Sequence, residues 1–233
     1  MADPRLADPR LYVALDLPDI ESARAVVKAL GDAVVSYKIG LQLLPLGGTE
    51  FGRELKRAGK NVFLDFKLHD IGATVEKATR SITEVGADLL TVYATPDVMM
   101  AAVKGRGGSS LKIMAVTVLT SLDDHALYDM GYFNTVEELV MHRVRQAVAA
   151  GVDGVISSPL EAKIIRSIVP KNFLIVTPGV RMQGGDKGDQ KRVATPKTAL
   201  RDGASHIVVG RPITQAKDPR TAALEILANM GNY

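Results

Sequence analysis

Eight short apolar runs rich in β-formers, with amphipathic stretches between them, constrain this chain more than any other feature. The runs are "LYVALDL" (Leu11–Leu17), "AVVSYKIG" (Ala33–Gly40), "NVFLDFKL" (Asn61–Leu68) and "ADLLTVYA" (Ala87–Ala94), then "KIMAVTVLT" (Lys112–Thr120), "GVDGVISS" (Gly151–Ser158), "NFLIVTPGV" (Asn172–Val180) and "ASHIVVGRP" (Ala204–Pro212). Segments such as "IESARAVVKAL" and "TVEELVMHRVRQAVAA" carry apolar residues at three- and four-residue spacing, the period of a helix with one buried face. Strand–helix alternation of this kind in 233 residues predicts an α/β fold of the (β/α)8 barrel type, one domain over residues 11–233. The alternative is an open doubly wound sheet, which usually has fewer strands and often a glycine-rich first turn. The first turn here, "LDLPDIES", has no glycine. Before the first run the block Ala-Asp-Pro-Arg-Leu occurs twice; residues 1–10 read as an extension and are assigned no function.

Side chains alternate faces along a strand, so parity sorts them. In the third run Val62, Leu64, Phe66 and Leu68 fall on the helix-facing side, while Phe63, Asp65 and Lys67 face the axis. In the second, Val35, Tyr37 and Ile39 face the helices, and Ser36 and Lys38 face inward. In the first, Leu11, Val13, Leu15 and Leu17 face the helices, and Asp16 points inward. Each inward charge falls near the C-terminal end of its strand, where barrels of this type build their sites. Asp16, Lys38, Asp65 and Lys67 therefore converge on one mouth, and Asp70 follows just beyond it. A buried salt-bridge network kept only for structure is a poor source of stability, because desolvation offsets most of the attraction. Alternating carboxylates and ammonium groups from three adjacent strands fit a functional site better. Each lysine lies between carboxylates and keeps its proton despite burial.

The last two runs suggest anion binding. "TPGVR" ends the seventh at Arg181, and "VVGRPI" ends the eighth at Gly210 and Arg211. Loops after the seventh and eighth strands of such barrels recurrently hold phosphate. Between them "RMQGGDKGDQKRVATP" is polar, with glycines at 184, 185 and 188, and reads as a lid acting through Gln190. His69, His125, His142 and His206 show no metal-ligand spacing, and His69 reads as a structural hydrogen-bonder. Met99 and Met100 read as core filling.

Composition removes several classes of function. Net charge is only +3, and the basic cluster at Lys187–Arg192 is broken by acids and lacks aromatics, so no nucleic-acid surface is expected. No apolar run is long enough to cross a membrane, and no export signal is visible, which predicts a soluble cytosolic protein. Cysteine is absent, so there are no disulfides and no thiolate metal ligands.

The segment "FLDFKLHDIGAT" resembles the D-x-K-x-x-D signature of the orotidine 5'-monophosphate decarboxylase family. "VALD", "SYKIG", "TVLTS", "TPGVR", "GDQKR" and "VVGRPI" are similar to other segments of that family, in the same order and across the chain after Leu11. The resemblance implies a carboxy-lyase that converts orotidine 5'-monophosphate (OMP) to UMP, the last step of de novo UMP synthesis, with no cofactor and no metal. It implies that Lys67 donates the proton, with Asp65, Asp70 and Lys38 completing the charge network. Asp16 and Lys38 would contact the ribose, Thr120 the pyrimidine, and Arg181, Gly210 and Arg211 the phosphate. Gln190 would bridge phosphate and pyrimidine. A homodimer is implied too, with Asp70 and Thr74 reaching into the partner's site.

Two features depart from the family pattern. Gly72-Ala73 stands where a Pro-Asn pair is common, and Tyr93 where histidine is common. Two other readings stay open at this point. One is a magnesium-dependent decarboxylase or aldolase on a sugar phosphate, with the signature carboxylates holding the metal. The other is a nucleotide-binding module without activity.

Overall fold

A computed structural model describes residues 7–184 and 193–231. Eight parallel strands close into a barrel in sequence order: β1 (Leu11–Ala14), β2 (Ser36–Gly40), β3 (Asn61–Leu68), β4 (Leu89–Tyr93), β5 (Lys112–Val116), β6 (Gly154–Ile156), β7 (Leu174–Thr177) and β8 (His206–Val209). The helices are α1 (Ile20–Leu30), α2 (Gly48–Arg57), α3 (Gly72–Thr83), α4 (Pro96–Arg106), α5 (Asp124–Asp129), α6 (Val136–Ala150), α7 (Ala162–Ile168), α8 (Pro196–Arg201), α9 (Arg211–Thr214) and α10 (Pro219–Met230). The (β/α)8 expectation is met. The strands are shorter than the apolar runs, because the residues past Ala14, Val116 and Thr177 leave the ladder to form loops at the barrel mouth.

Local signals set the helix starts. Asp19 accepts from the Ser22 amide at 2.7 Å and caps α1. Thr135 and Glu138 form a reciprocal capping box before α6. Each satisfies amides that a helix N-terminus leaves without intrahelical partners. Gly105 lets α4 lie close against α3, since a Cβ there would collide with the Glu76 carbonyl.

The apolar interior has two layers. The larger lies between strands and helices and includes Val13, Tyr37, Leu64, Leu90, Ile113 and Ile175. The smaller fills the barrel itself with Tyr12, Ala14, Phe63, Leu89, Met114, Val176 and Val208. This division follows the parity read from sequence. Met99 joins the outer layer, whereas Met100, the next residue round α4, is about half exposed and fills no core.

The floor of the barrel is tied by a recurring device. Asp88, just before β4, accepts from the Val62 amide of β3 at 2.7 Å and from Lys56 at 2.8 Å. Asp153, just before β6, accepts from the Ile113 amide of β5 at 2.8 Å and from Arg106. Ser205, just before β8, accepts from the Ile175 amide of β7 at 2.8 Å. The second copy of the N-terminal block also packs here. Pro9 accepts from the Ser36 hydroxyl, and Arg10 accepts from the Ile207 amide.

Candidate active site

A cavity of about 450 Å³ opens at the C-terminal end of the strands, resting on Ala14, Phe63 and Val208 of the barrel filling. Asp16, Lys38, Asp65 and Lys67 form one wall; Arg181, Gly210 and Arg211 stand in its lining too, with Thr120. The structure thus brings together eight of the residues chosen from sequence.

The charges form a chain. Lys38 Nζ lies 3.0 Å from Asp16 Oδ1 and 3.3 Å from Asp65 Oδ2, and Lys67 Nζ lies 2.8 Å from Asp65 Oδ1. Burial acts to pull the Lys38 pKa down, but the carboxylates of Asp65 and Asp16 outweigh it and hold the amine above its ordinary value. Burial likewise pushes Asp65 up, and Lys38 and Lys67, with hydrogen bonds from Lys67 and Thr91, bring it below the usual carboxylate range. Both groups are therefore charged at neutral pH. Gly40 makes room for the first link: a Cβ there would lie 2.6 Å from Asp16 Oδ1 and 3.0 Å from Lys38 Nζ.

Two details differ from simple alternation. Asp16 lies beyond the end of β1, so the turn after the strand, not the strand, presents it. Between Leu64 and Leu68 β3 advances four residues while β4 advances only from Leu90 to Val92. Lys67 takes up this bulge with φ of 49°, the only positive φ outside glycine among the described residues. Its amide is bound by the hydroxyl of Thr91, which also donates to Asp65 Oδ1, both at 2.9 Å. Thr91 was missed by sequence reasoning, because a β-branched residue inside a strand reads as ordinary β propensity. Gln42, Ser157, Thr214 and Gln215 also line the cavity and carried no sequence signal.

Asp70 and Thr74 are not part of this chain's cavity wall. Asp70 is exposed, accepts from the Ile71 amide at 2.6 Å, and borders a shallow depression with His69, Ile71 and Thr95. Thr74 is exposed on the first turn of α3. His69 stacks on Tyr93 at 4.8 Å between ring centres, and the guanidinium of Arg143 lies 5.2 Å from the same ring. Tyr93 thus packs against the loop that carries Asp70. Gln190, with Gly185 and Gly188, lies outside the described residues. On either side of that segment Val180 bridges Ala194, and the Arg181 amide donates to the Ala194 carbonyl at 2.9 Å. Among the described residues no group of three His, Asp or Glu side chains is placed to hold a metal ion. No helix among them is long and apolar enough to cross a membrane.

Residues 9–226 match the Orotidine 5'-phosphate decarboxylase / HUMPS family. The chain belongs to this family. It is 59% identical over 228 residues to an orotidine 5'-phosphate decarboxylase of Caulobacter vibrioides (strain NA1000 / CB15N), covering 96% of this chain and 98% of that one. A decarboxylase of the same name from Rhodopseudomonas palustris (strain BisB5) is 53% identical, over 98% of this chain and 97% of its own. The crystal structure of orotidine 5'-phosphate decarboxylase from Lactobacillus acidophilus superposes with a TM-score of 0.85 at 35% identity, covering 97% of this chain and all of that one. Asp65, Lys67 and Asp70 all lie within the span that matches the family.

Proposed function

We propose that this family member removes CO2 from C6 of OMP to give UMP, with Lys67 delivering the proton that replaces it. The observation that carries the reading is the unbroken chain Asp16–Lys38–Asp65–Lys67 in a cavity that Arg181 and Arg211 also line. Loss of CO2 leaves an electron pair in the plane of the ring, where the π-system cannot accept it. The site answers with a fixed ammonium. Preorganised charge of this kind stabilises a developing anion without reorganisation during reaction.

The remaining roles are those that the family resemblance implies. Asp16 and Lys38 take the ribose hydroxyls. Arg181 and Arg211, with the Gly210 backbone, take the phosphate by charge-assisted hydrogen bonds. Thr120 contacts the pyrimidine, and Gln190 bridges it to the phosphate. Binding of the remote phosphate supplies energy for the reacting end. Asp70 and Thr74, exposed beside Ile71, complete the site of a second copy, so the working unit is a homodimer. Light scattering that shows a fully active monomer overturns that part. We place the reaction in the cytosol without added cofactor; activity confined to a membrane pellet on fractionation refutes the location.

The deciding experiment mixes the protein with OMP and excess EDTA and follows loss of the orotate absorbance. Conversion to UMP is expected. If there is none, and a magnesium-supplemented sugar-phosphate assay shows turnover instead, Asp65 and Asp70 are metal ligands and the assignment of Lys67 falls.

A further inference from the structure

We propose that Thr91 is a positioning residue for the proton donor: its hydroxyl fixes the Asp65 carboxylate and the Lys67 backbone together, and so aims the Lys67 ammonium into the cavity. The inference rests on the reading of Lys67 as donor given above.

Thr91 is fully buried on the inner face of β4, and one oxygen serves two neighbours. The hydroxyl hydrogen goes to Asp65 Oδ1 at 2.9 Å; a lone pair receives the Lys67 amide at 2.9 Å. A hydroxyl can do both at once because it is one donor and two acceptors. The same Oδ1 takes the Lys67 ammonium at 2.8 Å. Lys67 is therefore held at both ends, its amide by Thr91 directly and its ammonium by a carboxylate that Thr91 holds.

This double grip accounts for the backbone. A side chain with a Cβ disfavours the left-handed region, and such a conformation persists only where the surroundings over-determine it. The β3–β4 ladder omits Lys67, so no strand pairing holds φ at 49°. The Thr91 hydroxyl is the group that stands where the ladder is interrupted. Threonine suits the task because two heavy atoms on Cβ restrict χ1 and fix the direction of the oxygen. With valine the volume stays and the oxygen goes. The Lys67 amide then lacks its acceptor, Asp65 lacks a donor, and the lysine is free to return to an extended conformation that points Nζ elsewhere.

The test compares Thr91→Val, Thr91→Ser and Lys67→Ala for kcat, KM on OMP, UMP affinity by calorimetry, and Tm. For Thr91→Val, kcat should fall roughly 10- to 100-fold, the effect of a misplaced catalytic group, with KM and UMP affinity nearly unchanged. Thr91→Ser should restore most of kcat. A Thr91 that only satisfies a buried amide would lower Tm and leave kcat alone; that result overturns the proposal, as does a serine variant no better than valine. If the valine variant does not fold, Thr91→Cys, with its weak S–H donor, takes its place and the same outcomes apply. Lys67→Ala separates the two ideas. Full turnover there removes the donor reading itself, whereas an inactive Lys67→Ala beside a fully active Thr91→Val removes only the role of Thr91.

Discussion

The α-carbon of Gly40 faces the carboxylate of Asp16 so closely that a methyl group added to it would lie 2.6 Å from Oδ1. The atoms in the way are the far ends of Asp16 and Lys38, not backbone. Gly40→Ala should therefore fold and melt nearly as the parent does, while the Asp16–Lys38 link is pushed apart. We expect kcat/KM on OMP to drop about 10-fold or more, the order of one charge-assisted hydrogen bond. Steady-state kinetics beside a thermal melt checks this; unchanged kinetics would show that the link is dispensable.

Asp65 faces two ammonium groups, and its side chain is 14% exposed. Asp65→Asn leaves Lys38 with Asp16 alone and Lys67 with no carboxylate partner in this chain among the described residues. Lys38 keeps one carboxylate and the Lys67 side chain is 31% exposed, so urea unfolding should show a loss of about 1–3 kcal/mol, the cost of losing a hydrogen bond to a charged group. Turnover should fall by at least about 10²-fold, because the ammonium loses the group that orients it.

Arg211 and Arg181 line the same cavity as the charge chain. If they grip the phosphate, Arg211→Ala should raise KM by roughly 10- to 100-fold, the worth of a hydrogen bond to a charged group. Arg211→Lys should recover only part of this, since an ammonium lacks the planar two-pronged donor. Equal KM for all three proteins would place the phosphate elsewhere.

His206 sits on the barrel floor against Tyr12, and burial, with Lys112 nearby, lowers its pKa to about 4. The unfolded chain takes up this proton near pH 6.5, before the folded one does. Stability from this group is therefore full above that pH and is lost as the solution is acidified toward 4. Between pH 7 and pH 5 the loss should be about 2 kcal/mol. Unfolding curves at both pH values, for the parent and for His206→Gln, test this; the variant should show a flatter pH dependence. Asp65, held below its ordinary value, contributes in the same sense but at lower pH.

How far the sequence reveals this molecule depends on the kind of feature. The barrel and its inward charges are legible because period-two alternation marks which side chains meet at the axis, and Tyr12, Lys38, Phe63 and Asp65 obey it. The bulge at Lys67 is not legible: alternation places that lysine inward in either case, and only the register against β4 shows the extra residues. Thr91 is hidden for a related reason, since its oxygen acquires a role only through a partner strand's irregularity. Asp70 shows the opposite limit. It stands three positions from Lys67 in sequence, yet the turn into α3 carries it out of this chain's cavity. Met100 shows that a residue type common in cores says little about which side of a helix it occupies.

The floor clamps from Asp88, Asp153 and Ser205 each join an even-numbered strand's leading residue to the strand before it. Three strand pairs carry this fastening, and β2 and β3 are joined at the same end by Asn61, whose side-chain amide donates to the Ser36 hydroxyl at 3.0 Å. The turn between β2 and β3 divides the charge chain in the middle. Asp16 and Lys38 travel with one piece, Asp65 and Lys67 with the next. A chain severed at Gly59 would give two fragments, each with half of the chemistry and neither with a catalyst. Activity would then report directly on whether the two halves had found each other.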